Sequence, residues 1–235
     1  MKWEERLPFP ADRSRNGPDG AAILSLTDEW FRARLGRITA SVRAHTIAQG
    51  REYEWSKMRA ELLDEMRPDY VSNPFSNDAT RWGQDHEAQA IANIELETGL
   101  TLWEPGFVFH SELDYAGATP DFFAEANISG QIKCPFNPKY HLETVHSQRV
   151  PTKYFHQVQF ESYISRRPRI LFASYDPRQP LATRLALVWM EADPLLHQMF
   201  DKRLRDFYDF FHNGAAVAKL TVVDGIPNIF GRRKA

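Results

Sequence analysis

The chain has 235 residues, 43% hydrophobic, 26% charged and 13% aromatic, enough to bury one sizeable core and unlike any disordered or low-complexity composition. Its longest apolar stretches, such as residues 185–190, fall far short of the roughly 20 residues that cross a bilayer, and a lone Cys134 allows no intrachain disulfide, so a cytoplasmic protein without membrane attachment is expected. Twenty-nine basic against 31 acidic residues give a net charge of −2, so the whole surface is not drawn to a polyanion and any nucleic-acid contact must be local.

Residues 1–26 lack periodicity and are expected to form an irregular arm. Thr27 is a plausible N-cap for a short helix carrying Trp30, Phe31, Leu35 and Ile38, with Gly36 as its stop. A second helix opens at Thr39, Ala40 and Ser41, and a third spans about 52–66 before Pro68. A loop over 68–80 leads into a helix over 77–98, closed by Gly99. The first hundred residues thus read as helical.

The period then changes. Residues 101–110 alternate as a strand does, 117–120 make a turn, and 122–124 and 128–133 are two further strands. Helices over 138–146 and 152–165, strands over 170–175 and 183–190, and a helix over 194–211 complete the order. The expected fold is α/β: a small mixed sheet flanked by helices, behind a helical N-terminal part. One domain is expected, with the arm at 1–26, the helical part at 27–99, the core at 100–212 and a tail at 213–235.

Basic residues cluster at Arg32, Arg34, Arg37 and Arg43, at Arg166, Arg167 and Arg169, and at Arg232, Arg233 and Lys234; solvated faces would account for each. More specific is Gly117-Ala-Thr-Pro-Asp121, which sets a carboxylate at the start of a strand. Ten residues on, Gln131 and Lys133 point to one side of the next strand. Pairing in register would gather Asp121, Gln131 and Lys133 at one edge, an arrangement suited to metal-assisted phosphodiester hydrolysis. His141, His146 and His156 lack the spacing of a zinc site and are expected to be core or surface residues, and Cys134, with no identifiable His partner, is expected to pack in the interior.

Asp121 and Gln131-Ile-Lys133, together with Tyr154-Phe-His-Gln-Val-Gln-Phe160, Phe172-Ala-Ser-Tyr-Asp-Pro-Arg178 and the upstream segment Trp30 to Ser41, resemble the phage lambda exonuclease group. This is a YqaJ-like viral recombinase family of the PD-(D/E)xK nucleases, with a restriction-endonuclease-like core. The resemblance runs in order from Trp30 to Asp193. It implies a 5′-to-3′ exonuclease on linear double-stranded DNA, using Mg2+ with Mn2+ as a substitute, in a bacterial or phage-infected cell. It further implies a ring of three identical subunits around DNA and a single-strand annealing protein as partner. Carried over by position, Asp121, residue 131, the Ile132 carbonyl and Glu87 would hold metal, Lys133 would act on the nucleophilic water, and Gln159 would contact the site from the helix behind. Arg34 and Ser41 match positions that receive the 5′ phosphate.

The match departs at one metal ligand, where the family has Glu and this chain has Gln131. An amide keeps one oxygen and loses a full charge, so weaker metal binding and slower chemistry are expected, while DNA-end binding survives. A deliberate Glu→Gln change, a natural variant that still cuts, and a catalytically silent DNA-end-binding protein all remain open.

Overall fold

The computed structural model of the protein describes residues 2–15, 22–71 and 77–213; the tail beyond 213, with Arg232, Arg233 and Lys234, lies outside them. Thr27 caps α1 (Asp28–Arg34) by accepting from the Trp30 backbone N–H. The helix stops short of Gly36, which takes a φ of +69°. Ile38, expected on that helix, instead forms β1 (Ile38–Thr39), followed by α2 (Ala40–Gln49), α3 (Glu52–Glu65) and α4 (Asp78–Thr98). The Asn77 side chain caps α4 at its start and the left-handed Gly99 closes it.

Beyond α4 come β2 (Leu102–Trp103), β3 (Val108–Phe109), β4 (Ala116–Ala118), β5 (Phe122–Ala124) and β6 (Ile128–Lys133), then α5 (Pro138–Ser147) and α6 (Thr152–Ser165), and finally β7 (Arg169–Tyr175), β8 (Leu185–Glu191) and α7 (Pro194–Asn213). The strand expected over 101–110 is therefore two strands in different sheets. Pro105 and Gly106 divide them, and Gly106 has a φ of +65° and lies so near the chain that a Cβ would sit 2.3 Å from the Ile23 carbonyl oxygen. The turn expected at 117–120 starts later, because Ala116–Ala118 is the central strand of a small sheet ordered β1-β4-β3.

The larger sheet is ordered β2-β5-β6-β7-β8, parallel only between β6 and β7. Its two faces follow from strand alternation. Leu171, Ala173 and Tyr175 of β7 pack with Ile128 and Ile132 of β6 against Ala90 and Ile94 of α4. Ile170 and Phe172 point the other way, onto Val158 of α6. Helix α6 is covered in turn by Phe200, Leu204 and Phe207 of α7 and by Ala44 and Ile47 of α2, through Phe160 and Ile164. It is consequently buried on nearly all sides.

Two sequence expectations change on packing. Trp3, assigned to an irregular arm, is fully buried, stacked on Phe211 at 4.0 Å and Tyr115 at 4.7 Å, with its indole N–H donating to the Gly36 carbonyl at 2.9 Å. Three of the seven arginines in the two internal basic clusters are structural as well. Arg37 is buried and donates to the Asp114, Ala33 and Phe9 carbonyls, Arg43 pairs with Glu65, and Arg167 donates to the Glu125 carbonyl while lying 3.9 Å over Phe123. Truncating Trp3 to Ala removes a buried aromatic and its hydrogen bond, so the unfolding free energy should fall by about 3–5 kcal/mol, read from the shift of the urea midpoint.

Candidate active site

The β5–β6 hairpin pairs Phe122 with Gly130, which sets Asp121 beside Gln131. The Asp121 carboxylate accepts from the Ile132 backbone N–H at 2.6 Å and from the Gln131 side-chain amide. The same Gln131 Nε2 lies 3.4 Å from the Ile132 carbonyl oxygen. An amide N–H thus occupies the point on which the Asp121 and Ile132 oxygens converge. Alternation along β6 sends Ile128 and Ile132 into the α4 face, so Ser129, Gln131 and Lys133 face α6.

From α6, Gln157 Nε2 donates to Gln131 Oε1 at 2.6 Å and to Glu161 Oε1 at 2.8 Å. Gln159, expected at the site, is elsewhere. Two residues along a helix is a rotation of about 200°, and Gln159 donates to the Glu191 carbonyl at 3.1 Å and accepts from the Asp193 N–H at 2.9 Å, tying β8 to α7. Gln157 takes its place, with Glu161 one turn on. Glu161 follows Gln157 by four residues, the i, i+4 spacing that puts two polar side chains on one side of a helix.

Glu87 projects from α4 into the same space. Burial pushes its carboxyl up to about 7, aided by the charges of Asp121 and Glu104 and opposed by Lys133. Burial also raises Asp121, against the lowering influence of Lys133 and the Ile132 N–H. Glu161 is held well above the usual carboxylate range by burial and by Asp121. Cys134 is half-buried, its thiol driven up to about 12 chiefly by burial, which leaves it inert. His141 bonds the Ser174 hydroxyl and the Thr183 carbonyl.

A cavity of about 410 Å³ is lined by Asp121, Gln131, Lys133, Glu87, Arg34 and Ser41, among others, so every expected site residue but Gln159 borders it or, like Ile132, adjoins it. A second cavity, about 490 Å³, shares Glu87, Asp121 and Lys133 and continues past Tyr154 and Lys153. In the first, the Arg34 guanidinium lies 4.2 Å over the Trp30 ring, and Trp30 is anchored by its indole N–H to the Thr119 hydroxyl at 3.0 Å. Burial, and then the charge of Arg43, lower Arg34 to about 10. Ser41 is exposed in the first turn of α2, whose N-cap Thr39 makes no side-chain cap bond, leaving backbone N–H groups directed outward.

Among the described residues no three His, Cys, Asp or Glu gather at one point, so a cation here would need amide and main-chain oxygens besides carboxylates. Those are present: Asp121, the Ile132 carbonyl, Glu87 and, after a half-turn of its amide, Gln131 Oε1. All are hard oxygen donors of the kind Mg2+ takes. The positive edge of the Gln131 amide already stands where their oxygens face, so the donor set fits a divalent cation.

Fold and cleft together define an α/β protein with a restriction-endonuclease-like core and a carboxylate–lysine strand edge. The chain belongs to the YqaJ-like viral recombinase domain family, which it matches over residues 29–167. It is similar to the crystal structure of an alkaline exonuclease, LHK-Exo, from Laribacter hongkongensis, with 28% identity, 79% of this chain and 93% of that chain covered, and a TM-score of 0.70. The same protein in complex with dAMP gives a TM-score of 0.71, again at 28% identity over 79% of this chain and 93% of that one. A phage-related exonuclease from Haemophilus somnus 129PT shares the fold at 14% identity, with 74% of this chain and 93% of that chain covered and a TM-score of 0.57. No match is found among curated proteins.

The raised Glu87 carboxyl has a consequence for stability. A folded-state value near 7 against a usual value of 4.5 gives a contribution that is complete below about 4.5 and lost as pH rises through 7. Glu87→Gln cannot ionise, so its stability should decline less between pH 4.5 and 8 than that of the unaltered protein, measured by thermal melts across that range.

Proposed function

We propose that the chain is a deoxyribonuclease that hydrolyses linear double-stranded DNA from its 5′ end with Mg2+ or Mn2+. The observation that carries this is the shared cavity, in which an arginine, a serine and a free helix N-terminus lie on one side and Asp121, Glu87 and Lys133 on the other. Family membership and the likeness to LHK-Exo support it.

Asp121, the Ile132 carbonyl, Glu87 and the turned Gln131 amide would hold the cation. Bound there, it would polarise the scissile phosphate and lower the pKa of an attacking water. Lys133, on the same strand face, holds that water by hydrogen bonding and stabilises the charge that develops on the phosphate. Water oxygen joins phosphorus, the bond to the 3′ oxygen of the terminal nucleotide breaks, and that oxygen takes a proton as the 5′ mononucleotide leaves. The Arg34 fork, the Ser41 hydroxyl and the α2 N–H groups receive the terminal 5′ phosphate, which fixes the polarity of digestion. Trp30 keeps the guanidinium flat against its ring.

With an amide at 131, turnover is slower than a carboxylate there would give. The hydrogen bond from Gln131 to Asp121 favours a second reading, a DNA-end-binding protein without turnover, because it closes the donor set on itself. A homotrimeric ring and a single-strand annealing partner belong to the first reading; a monomer by light scattering in the presence of DNA would count against the ring.

Nucleotide release from 5′-phosphorylated linear duplex, with Mg2+ and with EDTA, tests the proposal. Mg2+-dependent release is expected, faster for Gln131→Glu and absent for Asp121→Asn. If neither the unaltered protein nor Gln131→Glu releases nucleotide, the end-binding reading replaces it. Arg34→Ala should lose about tenfold in affinity for 5′-phosphate ends while leaving 5′-hydroxyl ends nearly unchanged, as expected for one charge-assisted hydrogen-bonding group.

A further inference from the structure

We propose that Lys153, held between the rings of Tyr140 and Tyr154, receives the DNA phosphate that follows the scissile one. The inference rests on the 5′-end reading above and names a residue that this reading does not use.

The two cavities of the cleft supply the direction. They share Gln84, Glu87, Asp121 and Lys133, and no other lining residue is common to both. Arg34 and Ser41 lie in the first of them. The second leaves the shared residues the other way, along the chain that follows β6 to the opening turns of α5 and α6, where Tyr140, Lys153 and Tyr154 line it. A strand with its terminal phosphate at Arg34 and its next phosphate at the shared residues therefore continues into the second cavity. What enters there is the part of the strand that remains after cleavage.

Lys153 is placed to meet it. Its ammonium lies 3.8 Å from the centre of the Tyr140 ring and 4.6 Å from that of Tyr154, two rings carried by different helices. Lys133 Nζ lies over the same Tyr154 ring at 5.2 Å, so two cations stand on one aromatic platform, close enough for successive phosphates of one strand. The two rings are the only partners of Lys153 among the described residues. An aromatic face steadies an ammonium without cancelling its charge, which leaves the N–H donors for an anion.

The rest of the cavity suits a nucleotide. Phe136 is 50% and Tyr140 43% exposed, aromatic faces of the kind on which the bases of a strand pack. The Phe136 backbone is fixed by Arg178, which donates to the Phe136 and Pro135 carbonyls at 3.0 and 3.1 Å, pairs with the buried Asp176 and lies 4.2 Å over Trp82. A lysine that served only solubility would need neither the two rings nor this support.

The test is binding in EDTA, where no strand is cut, followed by fluorescence anisotropy with 5′-phosphorylated linear duplex. Counting the terminal phosphate as the first, three duplexes are compared: one intact, one with an uncharged methylphosphonate as the third phosphate of that strand, and one with it at the facing position of the complementary strand. Neutralising the third phosphate should weaken binding to the unaltered protein about fivefold. Lys153→Ala should lose the same on the intact duplex and nothing further on the neutralised one, and the slope of log affinity against log salt should be shallower by about one. Lys153→Arg should restore both. Lys153 is exposed, so the thermal midpoint should hold in each variant. Full additivity of the variant and the neutralised third phosphate would overturn the proposal, as would coupling to the complementary strand instead, or Lys153→Ala binding as tightly as the unaltered protein. The 5′-end reading survives those outcomes as long as 5′-phosphate ends are preferred to 5′-hydroxyl ends. Absence of that preference in the unaltered protein removes the 5′-end reading, and this proposal with it.

Discussion

A run of hydrogen bonds crosses the interior from Asp121 through Gln131 and Gln157 to Glu161, and the arrangement of the cleft depends on it. It joins β6, the central strand of the larger sheet, to α6, on which α2, α7 and one face of that sheet pack. Each member is buried or nearly so, and each would be costly there without the next. Apolar contacts between α6 and β7 tolerate small shifts, because one aliphatic surface slides on another at little cost. The amides do not. Their directional bonds fix the rotation of α6 relative to β6, and with it which side chains of that helix meet the strand.

A second constraint acts at the other end of the cleft. Arg37 and Arg43 are consumed in holding the N-terminal segment, α1 and α3 together through carbonyls and Glu65. Arg34 alone of the three is left facing open space, supported by the Trp30 ring. Because Trp30 is also bonded to Thr119, two residues before Asp121, the guanidinium and the start of β5 are positioned by one indole. A protein of near-neutral net charge can in this way concentrate positive charge at one place, since desolvation by burial makes the charge count for more than it would on an open surface.

Most elements were legible in the sequence because helix caps and periodicity are local. Thr27, Asn77 and Gly99 mark helix ends by chemistry that needs no tertiary partner, and Asp121, Gln131 and Lys133 could be gathered by strand alternation alone. What escaped was set by distant contacts. The split between β2 and β3 depends on Gly106 meeting Ile23, the small sheet on Gly117 fitting under Phe107, and the docking of Trp3 on residues more than a hundred positions away. The exchange of Gln159 for Gln157 has a different origin: the motif Gln-Val-Gln offers two amides, and only the rotation of α6 decides which one faces the strand.

The electrostatics of the cleft tie these strands of argument together. Asp121, Glu87 and Glu161 descend from a strand edge and two different helices, on opposite faces of the sheet, yet each is raised by burial and by a neighbouring carboxyl, with Lys133 the common counterweight. Folding buries these groups at a cost that apolar packing elsewhere must offset. A site assembled only for stability would not keep them, because replacing crowded buried carboxyls by apolar residues is commonly neutral or stabilising. On the proposed hydrolytic reading, a cation held near Asp121 and Glu87 would meet carboxyls already desolvated, so little reorganisation would remain at the moment of reaction.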